Sequence, residues 1–166
     1  KKGSVKTIGN TIPKGICGTG LVDIVAQLLS DGAIDETGHM EKDFSLSYGV
    51  TLTQEDVREF QQAKSAVCSG IQTLIKDAGI SFEDVEKAYI SGGFSEKLSI
   101  KNAVKTGLLP EELSSKCVAI NNSSLLGTVK YACGENDLSA FLHNAEYTDL
   151  SSTDCFSELF IENMMF

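Results

Sequence analysis

The sequence has few cations, no long apolar run and no closely spaced cysteines. Lysine and arginine together number 14, against 23 aspartate and glutamate residues, and the formal net charge is −9. A protein that binds nucleic acid needs a basic face to neutralise phosphates, so we expect no nucleic-acid partner. No apolar stretch approaches the roughly 18 residues that a membrane-spanning helix requires, so we also expect no membrane partner.

The five cysteines are spread through the chain, and no two of them form a Cys-x-x-Cys pair. Zinc and iron–sulfur sites need closely spaced ligands, so we predict no metal site in this chain. The odd number of cysteines and their spacing favour a reducing compartment, and we expect a cytoplasmic location. The cysteines are Cys17, Cys68, Cys117, Cys133 and Cys155.

The chain has the size of one domain, or of one lobe of a larger fold. Its 166 residues are 42% hydrophobic, which is enough for a folded core. It begins at Lys1 rather than at a methionine, and no signal segment follows. We therefore expect residues 1–166 to be a single fragment of a longer protein, with a helical part at 15–80 and an α/β part at 81–166.

The strongest helical signal covers residues 53–78. Thr53 can cap this helix, and Asp56 stands at the capping-box position. Apolar or small residues recur behind them at helical spacing, and Gly79 marks the end. The residues of this stripe are Val57, Phe60, Ala63, Val67, Ile71, Leu74, Ile75 and Ala78.

Short apolar strands alternate with helices in the second half of the chain. We predict strands at 87–91 and 116–120, followed by helices at about 99–106 and 125–132. This alternation is typical of an α/β fold with a mixed or parallel sheet. Ligands of such sheets bind where the strands end, so the segments after the two strands are candidate sites.

The first of these segments is Gly92-Gly93-Phe94. Two glycines after a strand allow a ligand to approach the backbone closely, because no Cβ intervenes. The pattern fits a nucleotide-binding turn or a plain tight turn. The second segment begins with Asn121 and Asn122, whose side chains could line a cleft or cap the next helix.

The long helix carries Gln61, Lys64 and Cys68 on one face. The stem and charge of Lys64 could cover an adenine or ribose edge. The alternative is a solvated helix face with surface charge pairs. A third glycine-rich segment, Gly15-x-x-Gly18-x-Gly20, lacks the lysine of a P-loop and follows no clear strand, so we expect it to serve backbone packing. No nucleophile–base pair is evident, and we predict no catalytic residue.

Three segments, in this order and spacing, resemble the C-terminal part of the reductive activators of corrinoid-dependent methyltransferases. The segments run from Pro13 to Leu29, from Leu52 to Lys64 and from Ile90 to Pro110. These activators belong to the actin-like superfamily of acetate and sugar kinases, Hsp70 and actin. The resemblance covers nearly the whole chain from about Pro13. It implies one actin-like (ribonuclease H-like) lobe with a mixed sheet flanked by helices and an inserted helical subdomain.

The resemblance also implies a function for the longer protein. Such activators return an inactive Co(II) corrinoid protein to Co(I), using ATP with Mg²⁺ and an iron–sulfur cluster in an upstream domain. This chain would supply the adenosine-side half of the ATP cleft and a face that docks the corrinoid protein. The family's Asp-x-Gly phosphate loops would lie upstream, so we expect no ATP hydrolysis from this chain alone. A homodimer is also implied.

Carried over by position, Gly92, Gly93 and Phe94 would form the turn beside the adenosine. Gln61, Lys64 and Cys68 would lie on the helix that flanks the adenosine. The segment that starts at Asn121 and Asn122 would close the cleft.

Three departures from the family pattern bear on this expectation. The family has glycine where Ser95 stands and Gly-Asn where Asn121 and Asn122 stand, and Glu96 and Lys97 replace more neutral residues. We predict that the added side chains narrow the cleft. Two alternatives therefore stay open: a nucleotide-free interaction or dimerisation module of the same fold, and an activator of a different low-potential enzyme.

Overall fold

A computed structural model describes residues 6–120, 122–134 and 138–166 of the chain. Helices and short strands alternate within these residues, as an α/β fold requires. The helices are α1 (Gly18–Ser30), α2 (Gln54–Asp77), α3 (Ile100–Lys105), α4 (Ser123–Ala132), α5 (Ser139–His143) and α6 (Asp154–Glu162). The strands are β1 (Phe44–Ser45), β2 (Thr51–Leu52), β3 (Ala88–Ile90) and β4 (Cys117–Ala119).

The four strands form two small sheets. Strands β1 and β2 pair antiparallel, with Phe44 opposite Leu52. Strands β3 and β4 pair parallel, with Ala88 opposite Cys117 and Ile90 opposite Ala119. The parallel pair confirms the predicted strands at their centres, although each is shorter than predicted. Its parallel direction brings the ends of β3 and β4 to the same edge of the sheet.

The predicted long helix is present as α2, and its start follows the predicted capping box. The backbone N–H of Asp56 donates to Thr53 Oγ1 at 3.2 Å, and Thr53 N–H donates to Asp56 Oδ2 at 2.7 Å. These bonds satisfy two groups that a helix start leaves without intrahelical partners. The helix ends at Asp77, and Gly79 adopts a φ of 65° just beyond it.

The hydrophobic core lies between α1, the first turns of α2, and α3. Its members come from all three helices, from β2 and from loops that precede or follow these elements. The buried residues are Val22, Val25, Leu28, Ile34, Met40, Leu52, Val57, Phe60, Ala103 and Leu109. This core fixes α2 at its N-terminal end and holds α3 behind the turn that follows β3.

Farther along α2 the buried face is polar, which the apolar stripe in the sequence does not predict. Val67 and Leu74 of that stripe are 45% and 49% exposed. Gln61 and Lys64 are instead 1% and 2% exposed. The reason is α6, which packs along α2 and brings the last residues of the chain against it. Beyond α6, the backbone N–H of Phe166 donates to the carbonyl oxygen of Glu36 at 2.9 Å.

One side of the β3–β4 pair and the whole of α4 are open to solvent. Tyr89 of β3 is 61% exposed, and every residue of α4 is exposed. Parallel sheets are normally covered on both faces, so this apolar surface is unusual for a complete fold. We call the surface formed by Tyr89, Val118, Leu125, Leu126 and Val129 the open apolar face. Among the helices of the described residues, none is long and apolar enough to cross a membrane.

Candidate functional site

The turn after β3 has an open backbone. Gly92 adopts a φ of 94°, a conformation that L-residues rarely adopt. A Cβ built on Gly92 or on Gly93 would meet no other atom within 4 Å. Space therefore exists beside both glycines, as a ligand that approaches the backbone would need.

Ser95 supports the turn and does not fill the cleft. Its side chain is 1% exposed, and its hydroxyl lies 2.8 Å from the carbonyl oxygens of both Gly92 and Ile120. The hydroxyl therefore ties the end of β3 to the end of β4. Our prediction that Ser95 narrows the cleft is wrong, because the side chain points into the turn.

The start of α4 lies beside the same turn. The hydroxyls of Ser91 and Ser123 are 2.6 Å apart, and the backbone N–H of Ser123 donates to Ser91 Oγ at 3.1 Å. Asn122 caps α4, because its Oδ1 accepts a bond from the Leu125 N–H at 3.2 Å. The predicted capping role of Asn122 is thus present, and Asn121 lies outside the described residues. The Ser91–Ser123 contact was not predicted, since 32 positions separate the two serines.

The first glycine-rich segment also reaches this turn. A Cβ built on Gly18 would lie 2.4 Å from Cε2 of Phe94, which is closer than real Cβ contacts. The Phe94 ring therefore occupies the place that a side chain at position 18 would need. This close approach confirms the predicted packing role of the segment and joins the start of α1 to the candidate turn.

Gln61 lies on α2 with all its polar atoms engaged. Its Nε2 donates to the carbonyl oxygens of Thr37 at 3.1 Å and of Met164 at 2.8 Å. Its Oε1 accepts a bond from Arg58 at 2.8 Å. The amide thus links the loop before β1 to the last residues of the chain.

Lys64 is buried beside Gln61 on the same face of α2. Its Nζ donates to the carbonyl oxygen of Met165 and lies 5.0 Å from the centroid of the Phe166 ring. Burial lowers the pKa of Lys64 to about 8, and the nearby Cys68 thiol opposes that shift. Burial also raises the pKa of Cys68. The alternative of a solvated helix face is therefore wrong for these three residues.

The sequence-predicted residues thus form two groups. Gly92, Gly93, Phe94 and Asn122 surround the ends of β3 and β4. Gln61, Lys64 and Cys68 share the buried face of α2, which the last residues of the chain cover in part. A separate groove of about 640 Å³ lies between β2 and the first turns of α2, and its lining includes Lys14 and Glu59. The described residues hold no group of three or more metal-ligating side chains.

Comparison with known proteins places this geometry in a family. The C-terminal domain of RACo, the ASKHA domain, matches residues 1–166. The chain belongs to this family. The resemblance seen in the sequence is therefore confirmed, and so is the actin-like α/β fold.

Relatives of the RACo C-terminal domain agree with this assignment. The chain is 28% identical over 191 residues to the corrinoid activation enzyme RamQ of Eubacterium limosum, covering 96% of the chain and 32% of the relative. It is 32% identical over 125 residues to the [Co(II) methylated amine-specific corrinoid protein] reductase of Methanosarcina barkeri, covering 75% of the chain and 23% of the relative.

A solved structure gives the same result. The reductive activator for corrinoid, iron–sulfur protein superposes with a TM-score of 0.82 at 28% identity, covering 96% of this chain and 30% of that one. RamQ and the solved activator both match nearly the whole of this chain. The chain in turn spans about a third of the length of each of them.

Proposed function

We propose that this chain is the nucleotide-side part of a reductive activator that returns a corrinoid protein from Co(II) to Co(I). The observation that carries the proposal is the open turn at Gly92 and Gly93, in a chain that belongs to an ASKHA domain family. Matched proteins named as a corrinoid activation enzyme, a Co(II) corrinoid protein reductase and a reductive activator support it.

The geometry of the turn fits an adenosine. A flat base or ribose can lie against glycine backbone, because no side chain occupies the space beside Gly92 and Gly93. The ends of β3 and β4 are the usual ligand position in an α/β sheet. The Phe94 ring, which is 41% exposed, adds an apolar wall next to the turn. The open turn favours this function over a nucleotide-free module, whose cleft would be filled.

The chain's own residues bind and orient the adenosine in this proposal, and they do no covalent chemistry. Mg²⁺ and the phosphates would be held by loops outside this chain, as the resemblance implies. ATP binding and hydrolysis by the longer protein would supply the free energy for the transfer of one electron onto Co(II), which would become Co(I). The electron would come from an iron–sulfur cluster elsewhere in the longer protein.

Gln61, Lys64 and Cys68 would flank the adenosine from α2. In the structure, Gln61 and Lys64 donate to carbonyl oxygens of the last residues of the chain. Direct contact of these two side chains with a nucleotide therefore requires that the last residues move away. Gly92, Gly93 and Phe94 need no such movement.

The open apolar face would serve contacts with other protein. Its members lie on β3, β4 and α4, next to the candidate cleft, and exposed apolar surfaces of this kind mark interaction sites. We propose that the remainder of the longer protein covers most of it and that a corrinoid protein docks at the rim. A homodimer through α6 gains little support, because α6 packs along α2 of its own chain.

The test is an activation assay on the longer protein with its corrinoid partner. Gly93→Val places a branched side chain in the open space of the turn. Gly15→Val is the matched control, since a Cβ there also meets nothing within 4 Å, in a different loop. We expect Gly93→Val to abolish the ATP-dependent loss of the Co(II) paramagnetic signal, while Gly15→Val retains it. Equal rates in both variants would overturn the proposed role of the turn.

A further inference from the structure

The segment from Phe160 to Phe166 lies along α2 and is held by buried polar side chains of that helix. Three side chains of α2 donate hydrogen bonds to main-chain carbonyl oxygens of the segment. The pairs are Gln61 to Met164, Lys64 to Met165 and Ser65 to Phe160. Because main-chain oxygens accept all three bonds, the three donors recognise the backbone at the end of α6 and just beyond it, and not particular side chains.

Two residues of the segment, Asn163 and Phe166, also contact α2 through their side chains. The Asn163 amide donates to Ser69 Oγ at 2.9 Å and to Gln72 Oε1 at 2.7 Å. The Phe166 ring stacks on Phe60, with ring centroids 6.2 Å apart and an interplanar angle of 19°. The segment therefore has one polar anchor in its middle and one aromatic anchor at its end.

No residue of the segment is fully buried, although Phe166 packs against the edge of the core. No residue of α6 is buried, and Ile161 and Met165 are 72% and 50% exposed. Apolar burial is the main force that holds an element in place, whereas water can replace a broken hydrogen bond at modest cost. The contact between this segment and α2 should thus open at a much lower cost than the core between α1 and α3.

We propose that residues 160–166 form a displaceable strap, which leaves α2 while the rest of the fold stays intact. When the strap is closed, its carbonyl oxygens occupy the donors of Gln61 and Lys64. When the strap opens, Lys64 and one N–H of Gln61 lose their acceptors and can bind another ligand, while the other N–H of Gln61 keeps its bond to Thr37. The strap therefore controls access to this face of α2.

The ligand is an adenine nucleotide, and this part of the inference rests on the proposed function. A nucleotide at the Gly92–Gly93 turn that also uses Gln61 and Lys64 competes with the strap for the same donors. Binding then shifts the population toward the open strap, since the ligand binds only that state at full strength. The strap is in this way a built-in competitor that lowers the apparent nucleotide affinity.

A buried thiol placed under the strap measures its opening. Ser65→Cys puts a thiol where the native hydroxyl is 0% exposed and contacts the strap at Phe160. Ala103→Cys is the reference, because Ala103 is also 0% exposed but lies in the core between α1 and α3. Both are treated with iodoacetamide under native conditions, and mass spectrometry follows labelling of each site. We expect the thiol at position 65 to label at least about tenfold faster than the thiol at position 103.

The anchors are tested in the Ser65→Cys background. Phe166→Ala removes the stack on Phe60 and should raise labelling by about a further tenfold. Met165→Ala is the matched control, because its side chain is half exposed and its carbonyl oxygen is unchanged. If the thiols at positions 65 and 103 label at the same rate and with the same dependence on urea, position 65 is exposed only by global unfolding. That result would overturn the proposal of a strap. Equal labelling of the Phe166→Ala and Met165→Ala variants would overturn it as well.

Mg-ATP tests the link to the nucleotide. Binding is first measured on the unmodified chain by calorimetry, and the labelling at position 65 is repeated with saturating Mg-ATP. Competition predicts faster labelling and tighter binding to the Phe166→Ala variant. If Mg-ATP binds but labelling at position 65 stays unchanged or becomes slower, the nucleotide does not compete with the strap, and this part of the proposal is overturned. If calorimetry shows no binding either to this chain or to the longer protein, the proposed function fails, while the nucleotide-free labelling still decides whether the strap exists.

Discussion

The ammonium group of Lys64 lies 5.0 Å from the centroid of the Phe166 ring, inside the protein. The negative face of an aromatic ring attracts a cation, and the attraction grows when the pair is removed from water. The same ammonium donates a bond to the Met165 carbonyl oxygen. A carbonyl dipole and a ring only partly compensate for lost hydration, so burial lowers the pKa of Lys64 to about 8.

This pKa predicts how stability changes with pH. The folded-state pKa of Lys64 lies below the usual 10.5. Between about pH 8 and pH 10.5 the unfolded chain therefore holds more protons than the folded chain at this site. The free energy of unfolding should rise with pH through that window, and Lys64 should contribute no slope below it.

Lys64→Met isolates this contribution, because methionine keeps much of the apolar stem and cannot titrate. Urea unfolding of both proteins is measured from pH 7 to pH 10.5, and the difference between the curves removes the titration of other groups. We expect the wild-type chain to gain stability relative to Lys64→Met as the pH rises. A difference that is constant across the window would show that Lys64 has an ordinary pKa in the folded protein.

A second prediction concerns the glycine that faces Lys64. Gly107 follows α3 with a φ of 70°, and a Cβ there would lie 3.0 Å from Lys64 Nζ. Gly79 follows α2 with a similar φ of 65°, but a Cβ there would meet nothing. Alanine should cost about 1 kcal/mol at Gly79 through backbone strain alone, and more at Gly107 because the ammonium must also move. Equal losses in urea unfolding would show that Lys64 does not need the space.

A third prediction concerns the packing of Phe94 on the start of α1. Gly18→Ala places a methyl group 2.4 Å from the Phe94 ring, so the ring or the helix must shift. We expect a loss of roughly 1–3 kcal/mol in urea unfolding, as in other overpacked sites. Gly20→Ala is the control, because its nearest neighbour is Cys17 Sγ at 3.4 Å and alanine favours a helix. Gly20→Ala should be neutral or slightly stabilising.

A fourth prediction concerns the hydroxyl that ties β3 to β4. Ser95→Ala removes a buried group that lies 2.8 Å from the Gly92 and Ile120 carbonyl oxygens. We expect a loss of about 1 kcal/mol, because a buried hydroxyl and its hydrogen bond are removed, while the half-buried Gly92 carbonyl oxygen keeps the Ser95 N–H as a donor. Ser115→Ala changes an exposed serine of a neighbouring turn and should leave the urea midpoint almost unchanged. A Ser95→Ala protein as stable as this control would show that the tie is unimportant.

Local signals in the sequence predict the elements of this fold well. The capping box of Thr53 and Asp56 lies within four residues, so its geometry follows from the sequence alone. The turn at Gly92 and Gly93 is predicted for the same reason, since an apolar strand directly precedes it. These features need no knowledge of distant residues.

The buried face of α2 could not be predicted in this way. The carbonyl oxygen that Lys64 binds belongs to Met165, 101 positions along the chain. Main-chain acceptors occur in every residue, so no residue type in the sequence marks them as the partner of a buried lysine. The contact of Gly18 with Phe94 could not be predicted for a similar reason. A glycine in the sequence does not indicate which distant side chain packs against it.

The most direct test of the account is a thermal-unfolding titration of the chain with Mg-ATP. A ligand at 100 times its Kd stabilises a protein by about 2.7 kcal/mol, which raises the Tm of a domain of this size by roughly 5–11 °C. We predict a saturable rise of this kind in the wild-type chain and its loss in Gly93→Val, with Gly15→Val behaving like the wild type. A Tm that Mg-ATP leaves unchanged both in this chain and in the longer protein, or a rise that Gly93→Val retains in full, would contradict the account.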